Sequence, residues 1–550
     1  MQAKRQSVHV VSKLETAPNQ IQLAKAKLAQ TEESLWPVFS RLGDEAEHAE
    51  VLSAAWKLLQ HFLSMGRLTE AAEVISKLLE HGELSKNTRA KCLATRANIH
   101  ASFGDTESAL AELKAALALT PSDERMLSNN ALWQSVESPN PESACALMRS
   151  WADVLRGANT SNFEQSNHED RVSFPKTSPE GRRLRVGYVS GDFRNHAARH
   201  FIEPILRHHD RKQFEVHAFM TLAEDELTAN FKPWVDKWHD ASDWTDSELL
   251  KAIKANGIDV LVDLSGHTEG ARLGVFALRA APVQITWFGY MATLGLDEMQ
   301  WRLTDAVVAP QGADAWYTEK LWRLSSVYAF QPPAVRNPPQ LDLPKLTNGY
   351  STMVCLNHSR KISDHSLALW SKLLDDNPNS GLILISAEKS AAHAASSLTT
   401  RLKRAGLPLD RVSVVPRLTT EAFMSLASVA DFALDTFPVS GGTTTLLALS
   451  MGLPVLAMDR AGAAPLEVLS ARLLRQAGLE ACVAKDEADY LAKAKQWLSQ
   501  DHLLQDLRQS LPELFAAAPF MQHEAITREV EHAYRSMVKQ AASTHAVTAG

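Results

Sequence analysis

Three patterns of apolar and polar positions succeed one another along the chain. From Ser34 to about Gly157, apolar residues recur at the 3.6-residue spacing of amphipathic helices. Trp56, Leu59 and the pair Phe62 and Leu63 share one face. The block Gly66-Arg67-Leu68-Thr69-Glu70-Ala71-Ala72, continued by Val74, Leu78 and Leu79, is echoed by Phe103-Gly104-Asp105-Thr106-Glu107-Ser108-Ala109 with Leu113 and Leu117. A weaker copy reads Asn140-Pro141-Glu142-Ser143-Ala144, then Leu147. Each block predicts a turn followed by a helix, with alanines small enough for close helix packing. Stacked units of this kind leave a concave groove. Residues 1–33 are polar and weakly patterned, and Asn159 to Arg182 is rich in Ser, Asn, Pro and Gly, the composition of a linker.

At Leu184 the period changes. LRVGYVS, FEVHAFM, IDVLVDL, Val283 to Trp287 and Arg302 to Val308 read as strands. They alternate with helical stretches at 201–208, 247–255 and around Val275 and Phe276. A proline-rich break, Gln331 to Pro344, ends that series. STMVCLN, LILISA, VSVVP, Phe432 to Leu434 and Val455 to Ala457 then form a second one, with helices predicted at 363–374, 391–405, 421–427 and 443–451. A last helix is predicted from Ala525 to Lys539, placed to cross back over the first series. Strands alternating with helices at this spacing predict two mostly parallel, doubly wound sheets. Such sheets bind ligands outside the carboxyl ends of their strands.

Composition narrows the class without naming a chemistry. The chain has 550 residues, 45% hydrophobic and 22% charged, with a formal net charge of −7. That balance does not suit a nucleic-acid binder, which usually carries a basic excess. The 4 cysteines, Cys92, Cys145, Cys355 and Cys482, are far apart and form no CxxC pair. They fit reduced, buried thiols in a cytoplasmic protein rather than a zinc site or a disulfide framework. No apolar run has the length of a signal-peptide core or of a membrane span.

Candidate chemistry sits in the loops that follow strands. The stretch Pro438 to Thr445 breaks after a short strand with Ser440, Gly441 and Gly442 and opens a helix with three threonines. Thr443 is expected to cap that helix, and the exposed amides at its positive end suit a diphosphate. Asn357-His358-Ser359-Arg360-Lys361 follows STMVCLN, and a lysine there would neutralise a leaving diphosphate. After LRVGYVS come Asp192, Asn195, His196 and, one turn on, His200: a carboxylate and two imidazoles suited to general-base work or substrate hydrogen bonding. Ser265 to Arg272 follows the IDVLVDL strand, and in Trp287-Phe288-Gly289-Tyr290 the glycine permits close backbone approach.

The helical blocks are spaced close to the period of roughly 34 residues of tetratricopeptide repeats, which they resemble. RVGYVSGDFRNH, DLSGHTEGARLGVFALRAAPVQITWFGY, the 357–361 loop and LDTFPVSGGTTT, in this order, resemble the O-linked N-acetylglucosamine transferase/SPINDLY family over about residues 183–540. The resemblance implies a GT-B fold, two Rossmann-like halves, after an all-α tetratricopeptide-like domain. The implied boundaries are 1–158 for the repeats, 159–182 for the linker, 183–338 for the acceptor half, 339–524 for the nucleotide-sugar half and 525–550 for a crossing helix and tail. By position, His196 matches the family's active-site histidine and Asp192 the aspartate beside it. Asn195 and His200 flank the acceptor and sugar. Phe288 and Gly289 match the pair whose backbone approaches the sugar-diphosphate. Lys361 matches the essential lysine, His358 a nucleotide contact, Thr443 and Thr444 the phosphate-holding threonines, and Leu418 and Thr420 the uracil-contacting segment. Gly442 stands where animal relatives carry a histidine. Other departures are Leu447 for the ribose-holding acid, Phe423 for an upstream histidine, and Met291-Ala292 for the usual proline-glycine.

The resemblance therefore implies an inverting, metal-independent glycosyltransferase with no cofactor. It would move N-acetylglucosamine or a related hexose from a nucleotide donor, expected to be UDP-linked, to a protein gripped by the repeats. For a bacterial member, flagellin or another surface protein is the expected acceptor. Two rival readings are a transferase acting on a small molecule or glycan, and a degenerate transferase serving as a binding scaffold.

Overall fold

The computed structural model describes residues 48–80, 84–136, 140–163, 181–334, 341–460, 463 and 465–548. The polar lead-in and parts of the linker and the proline-rich break lie outside them. The chain divides into two compact units that do not follow chain order. One combines residues 1–126, 335–458 and 482–512; the other combines 127–334, 459–481 and 513–550.

The second of these units is built on seven parallel strands: β1 (Leu184–Ser190), β2 (Phe214–Met220), β3 (Lys237–Asp240), β4 (Val260–Asp263), β5 (Val283–Thr286), β6 (Trp301–Asp305) and β7 (Lys320–Leu324), in the order β3-β2-β1-β4-β5-β6-β7. The central strands are covered on both faces, so β4 is buried along its whole length and reads as an apolar run up to Asp263. The direction of strand order reverses between β1 and β4, where Val186 pairs with both Val216 and Val260. The helix Pro141–Phe163, which runs into the start of the stretch read as linker, packs on this sheet. Its Met148, Trp151, Ala152 and Leu155 join Val275, Phe276, Leu294 and Met299 in one core. The C-terminal helix His523–Thr548 clasps the same unit: Glu531 accepts from His209 Nδ1 (3.0 Å) and the Asp210 amide (2.7 Å), and the hydroxyls of Tyr534 and Tyr188 meet at 3.0 Å. The helix Pro465–Gln476 also belongs here, with Arg472 donating to the carbonyls of Val307 and Val308 at 2.6 and 2.7 Å.

The other unit carries β8 (Ser351–Cys355), β9 (Ser380–Ile385), β10 (Val412–Val415), β11 (Phe432–Leu434), β12 (Val455–Met458) and β13 (Val483–Ala484), ordered β10-β9-β8-β11-β12-β13. This is the 3-2-1-4-5-6 order of a Rossmann sheet. Its helices include His48–Met65, Leu68–Glu80, Lys86–Ser102 and Thr106–Leu119, consistent with tetratricopeptide-like pairs. Ala55, Leu58, Leu59, Phe62, Val74, Ile75, Leu78 and Ile99 form their core. Gly66 and Gly104 turn the chain between helices at φ +67° and +80°, a region open to glycine at little cost.

These helices are fused to the Rossmann sheet of their unit. Glu388, fully buried, accepts from the Thr69 amide at 2.9 Å, and the Lys389 amide donates to the Gly66 carbonyl at 2.9 Å. All four cysteines are buried. Among the described residues no helix is long and apolar enough to cross a membrane.

Candidate active site

The richest cluster lies at the switch point of the second sheet, where the loops after β8 and β11 leave neighbouring strands. Asn357 is its hub. Its Nδ2 donates to Asp435 Oδ1 and Thr436 Oγ1, both at 2.8 Å, and its Oδ1 accepts from Thr444 Oγ1 at 2.5 Å. Asp435 Oδ1 also accepts from the Gly441 amide at 2.8 Å, which folds the Ser440–Gly442 turn onto the strand end. The half-buried Lys361 donates from Nζ to the Ser440 carbonyl at 2.7 Å. Burial pushes the Asp435 carboxyl up to about 6, while burial pulls the Lys361 ammonium down and Asp435 pulls it back up. A cation and a buried carboxylate thus support each other beside a glycine turn.

Gly441 is required by space. A Cβ there would stand 2.6 Å from Thr445 Oγ1, 2.8 Å from Thr444 Oγ1 and 3.0 Å from Asn357 Oδ1. Thr443 does not cap the helix Thr443–Ser450 as its position suggested. Gly442 occupies the N-cap, and a glycine has no side chain to cap with. Amides of an uncapped first turn, a lysine and hydroxyls make a place for an anion with several oxygens.

His358 is exposed, and its Nδ1 accepts from the Arg360 amide at 3.2 Å, capping the single 3-10 turn Ser359–Lys361. Leu418 lies in the loop after the edge strand β10, and Thr420 opens the helix Thr420–Met424.

In the first sheet, the loop after β1 brings together Asp192 and His196. His196 Nδ1 lies 3.2 Å from Asp192 Oδ1; the carboxylate is buried, while the imidazole is 44% exposed. Nδ1 also accepts from the Ala198 amide at 3.3 Å, so the ring is anchored at that edge beside the carboxylate while part of it stays open to solvent. Asn195 is exposed, with its amide bound to Asp225 Oδ2 at 2.7 Å. His200 turns away from this pair: its Nδ1 is 2.7 Å from the Gln331 carbonyl, and burial pulls its pKa down to about 4.

The loop after β5 is rigid for internal reasons. Phe288 packs its ring against Trp287 and Phe201, with centroids 4.8 and 5.7 Å away. Gly289 is needed because a Cβ would fall 2.1 Å from the Leu264 carbonyl, so the close approach seen here is to the loop after β4. Behind them the buried pair Arg302–Glu319 (3.2 Å) ties the loop down. Arg302 donates to the Tyr290 carbonyl at 2.7 Å, and Glu319 accepts from Thr293 Oγ1 and the Leu294 amide at 2.8 Å each.

His267, in the loop after β4, is structural. It is buried between Ser128 Oγ at 2.9 Å and the Leu294 carbonyl at 3.3 Å, edge-on to Trp151. Burial lowers its pKa from 6.5 to about 4. The unfolded chain therefore takes a proton in that window which the folded chain refuses, so stability present above the unfolded pKa is lost as pH falls toward the folded one. We expect His267→Gln to flatten the loss of stability between pH 7 and pH 5 by on the order of 2 kcal/mol, read from urea midpoints at the two pH values. An unchanged pH slope would remove His267 from that account.

Sequence reading missed Asp435 and the hub role of Asn357. The available signal was polar residues at the carboxyl ends of β8 and β11, the two strands that flank the switch point.

Comparison with known proteins bears on what these clusters serve. The profile described as Glycosyl transferase family 41 matches residues 162–331 and 340–530. A protein of Solanum lycopersicum named a probable UDP-N-acetylglucosamine–peptide N-acetylglucosaminyltransferase SPINDLY is 34% identical over 372 residues, 66% of this chain and 40% of that protein. The UDP-N-acetylglucosamine–peptide N-acetylglucosaminyltransferase of Caenorhabditis elegans is 38% identical over 157 residues, 28% of this chain and 13% of its own length. The chain thus spans 40% of the length of the SPINDLY relative. Among solved structures, a mutant of the Thermobaculum terrenum O-GlcNAc transferase superposes with a TM-score of 0.77 at 29% identity, covering 94% of this chain and 99% of that one. The two Rossmann sheets are accordingly those of a GT-B fold. With a profile match over well more than half of its length, this chain belongs to glycosyl transferase family 41.

Proposed function

We propose that the protein is an inverting transferase that moves N-acetylglucosamine or a related hexose from a UDP-linked donor to a hydroxyl of a protein, without a metal ion or cofactor. The observation that carries this reading is the Lys361–Asn357–Thr444 cradle around the Gly441–Gly442 turn, built at the switch point of a Rossmann sheet in a family 41 chain. The names of the SPINDLY and Caenorhabditis elegans relatives support a UDP-sugar donor and a peptide acceptor.

In this reading the acceptor oxygen attacks the anomeric carbon while the bond from that carbon to the diphosphate oxygen breaks. The electron pair leaves with the nucleoside diphosphate. Lys361, the Thr443 hydroxyl and the first-turn amides receive the growing charge, while Thr444 holds Asn357. The acceptor proton passes to the imidazole of His196, which stands beside the Asp192 carboxylate. One displacement inverts the anomeric centre. The helical repeats grip the acceptor, and reaction in the cytoplasm would precede export of flagellin or another surface protein.

The test is incubation of full-length protein with UDP-N-acetylglucosamine and a lysate of cells lacking the gene, followed by intact-mass analysis. Proteins heavier by one N-acetylhexosamine are expected. Transfer confined to small molecules, or no turnover of any UDP-sugar, would reject the proposal.

A further inference from the structure

Lys361 stands in a 3-10 turn of three residues, Ser359–Lys361, whose own backbone supplies two bonds, Lys361 N–H to His358 O at 2.8 Å and Ile362 N–H to Ser359 O at 3.1 Å. So short a turn does not fix its own geometry. The helical hairpin supplies the rest. Ser359 is fully buried; its hydroxyl donates to the Ser102 carbonyl at 2.6 Å and accepts from the Ala387 amide at 3.0 Å. At the other end of the turn, Arg401 bridges the hairpin and the loop. One guanidinium nitrogen donates to the Phe103 carbonyl and the other to the Ile362 carbonyl, both at 2.7 Å, and Asp364 neutralises the charge at 2.7 Å.

Between these anchors sits Gly104, at φ +80°. A Cβ on it would meet Arg401 at 2.3 Å, the Ser359 carbonyl at 2.7 Å and the Ile362 carbonyl at 3.0 Å. The tip of a helical repeat therefore touches the backbone on both sides of Lys361.

We propose that the Ser102–Gly104 turn is the seat of the lysine loop, and that Ser359 and Arg401 are positioning residues that set the Lys361 ammonium for the departing diphosphate. This deepens the proposed function and rests on it for the identity of the charge served. Neither residue meets the substrate. Each acts through where Lys361 is held.

The experiment uses the full chain as wild type, Ser359→Ala, Ser359→Thr and Lys361→Ala, with Ser359→Ala also placed in the Lys361→Ala background. Reductive methylation followed by peptide mass spectrometry reads the reactivity of Lys361 without requiring activity. Ser359→Ala is expected to speed methylation of Lys361 several-fold and to lower turnover by about 10-fold, up to 10²-fold, with little change in donor KM. Ser359→Thr, which keeps the hydroxyl, should restore both. In the Lys361→Ala background the serine change should cost nothing further. Unchanged Lys361 labelling in Ser359→Ala, or an equal further loss in that background, would overturn the inference. Should Ser359→Ala fail to fold, Arg401→Lys is judged by the same two readouts, since an ammonium cannot bridge Phe103, Ile362 and Asp364 together. A wild type that turns over no UDP-sugar yet keeps the labelling contrast would sink the proposed function and leave the positioning intact.

Discussion

Replacing Lys361 by alanine is expected to lower turnover by about 10²-fold or more, the scale of losing one preorganised electrostatic donor. Charge grows on the leaving diphosphate as the glycosidic bond breaks. An interaction stronger with that charge than with the resting donor accelerates the step instead of merely tightening binding. The ammonium is already fixed on the Ser440 carbonyl at 2.7 Å, so little reorganisation is left for the moment of reaction. Turnover should therefore fall further than donor affinity. Asp435 sharpens the expectation: without its cation the buried carboxylate loses the charge that holds its pKa down. Arginine should rescue poorly, because a planar fork cannot occupy the place of a compact ammonium. Single-turnover transfer by wild type and Lys361→Ala, each with and without EDTA, decides the matter. Full activity in the variant, or abolition of wild-type activity by EDTA, would defeat the charge assignment.

His196→Ala is expected to cut turnover by roughly 10²–10⁴-fold, the range for a positioned acid–base group. The Asp192 carboxylate and the Ala198 amide both stand at Nδ1, and the imidazole is 44% exposed, so its removal should cost little stability. Steady-state rates alongside thermal melts separate the two effects. Near-normal turnover in a well-folded variant would assign the histidine a structural role.

The fold was legible where strands are buried on both faces. β1, β2, β4, β5, β8, β9, β11 and β12 are apolar runs in the sequence and central or near-central strands in the structure. β3, β7 and β13 escaped notice, and all three are edge strands without the apolar run that made the edge strand β10 legible as VSVVP. Lys237–Asp240 has exposed ends and only a half-buried middle, Lys320–Leu324 buries only Leu324, and Val483–Ala484 is two residues long. At an edge, water replaces one neighbour and the period-2 signal fades.

The site was legible as loops and less so as partnerships. The glycine–threonine turn and Lys361 stand out locally, each just after a strand. Asn357 and Asp435 are 78 positions apart, and only the adjacency of β8 and β11 makes them partners. The expected cap at Thr443 failed because the helix begins one residue earlier than that reading placed it, with Gly442 at the N-cap. Nothing local marks His267 as a buried histidine either; its place against Ser128 and Trp151 comes from residues more than a hundred positions away.

The fusion of the hairpin to the donor-side sheet limits how the repeat array can change length. In a free-standing solenoid any repeat may be duplicated, because each contacts only its neighbours. Here the tips at Gly66 and Gly104 are matched to Lys389, Arg401 and the lysine loop, so a repeat inserted between them would shift one tip off its seat. In a recombination library of family members, the hairpins up to Leu119 should travel with the donor half as one block, and crossovers between Gly66 and Gly104 should be the ones lost.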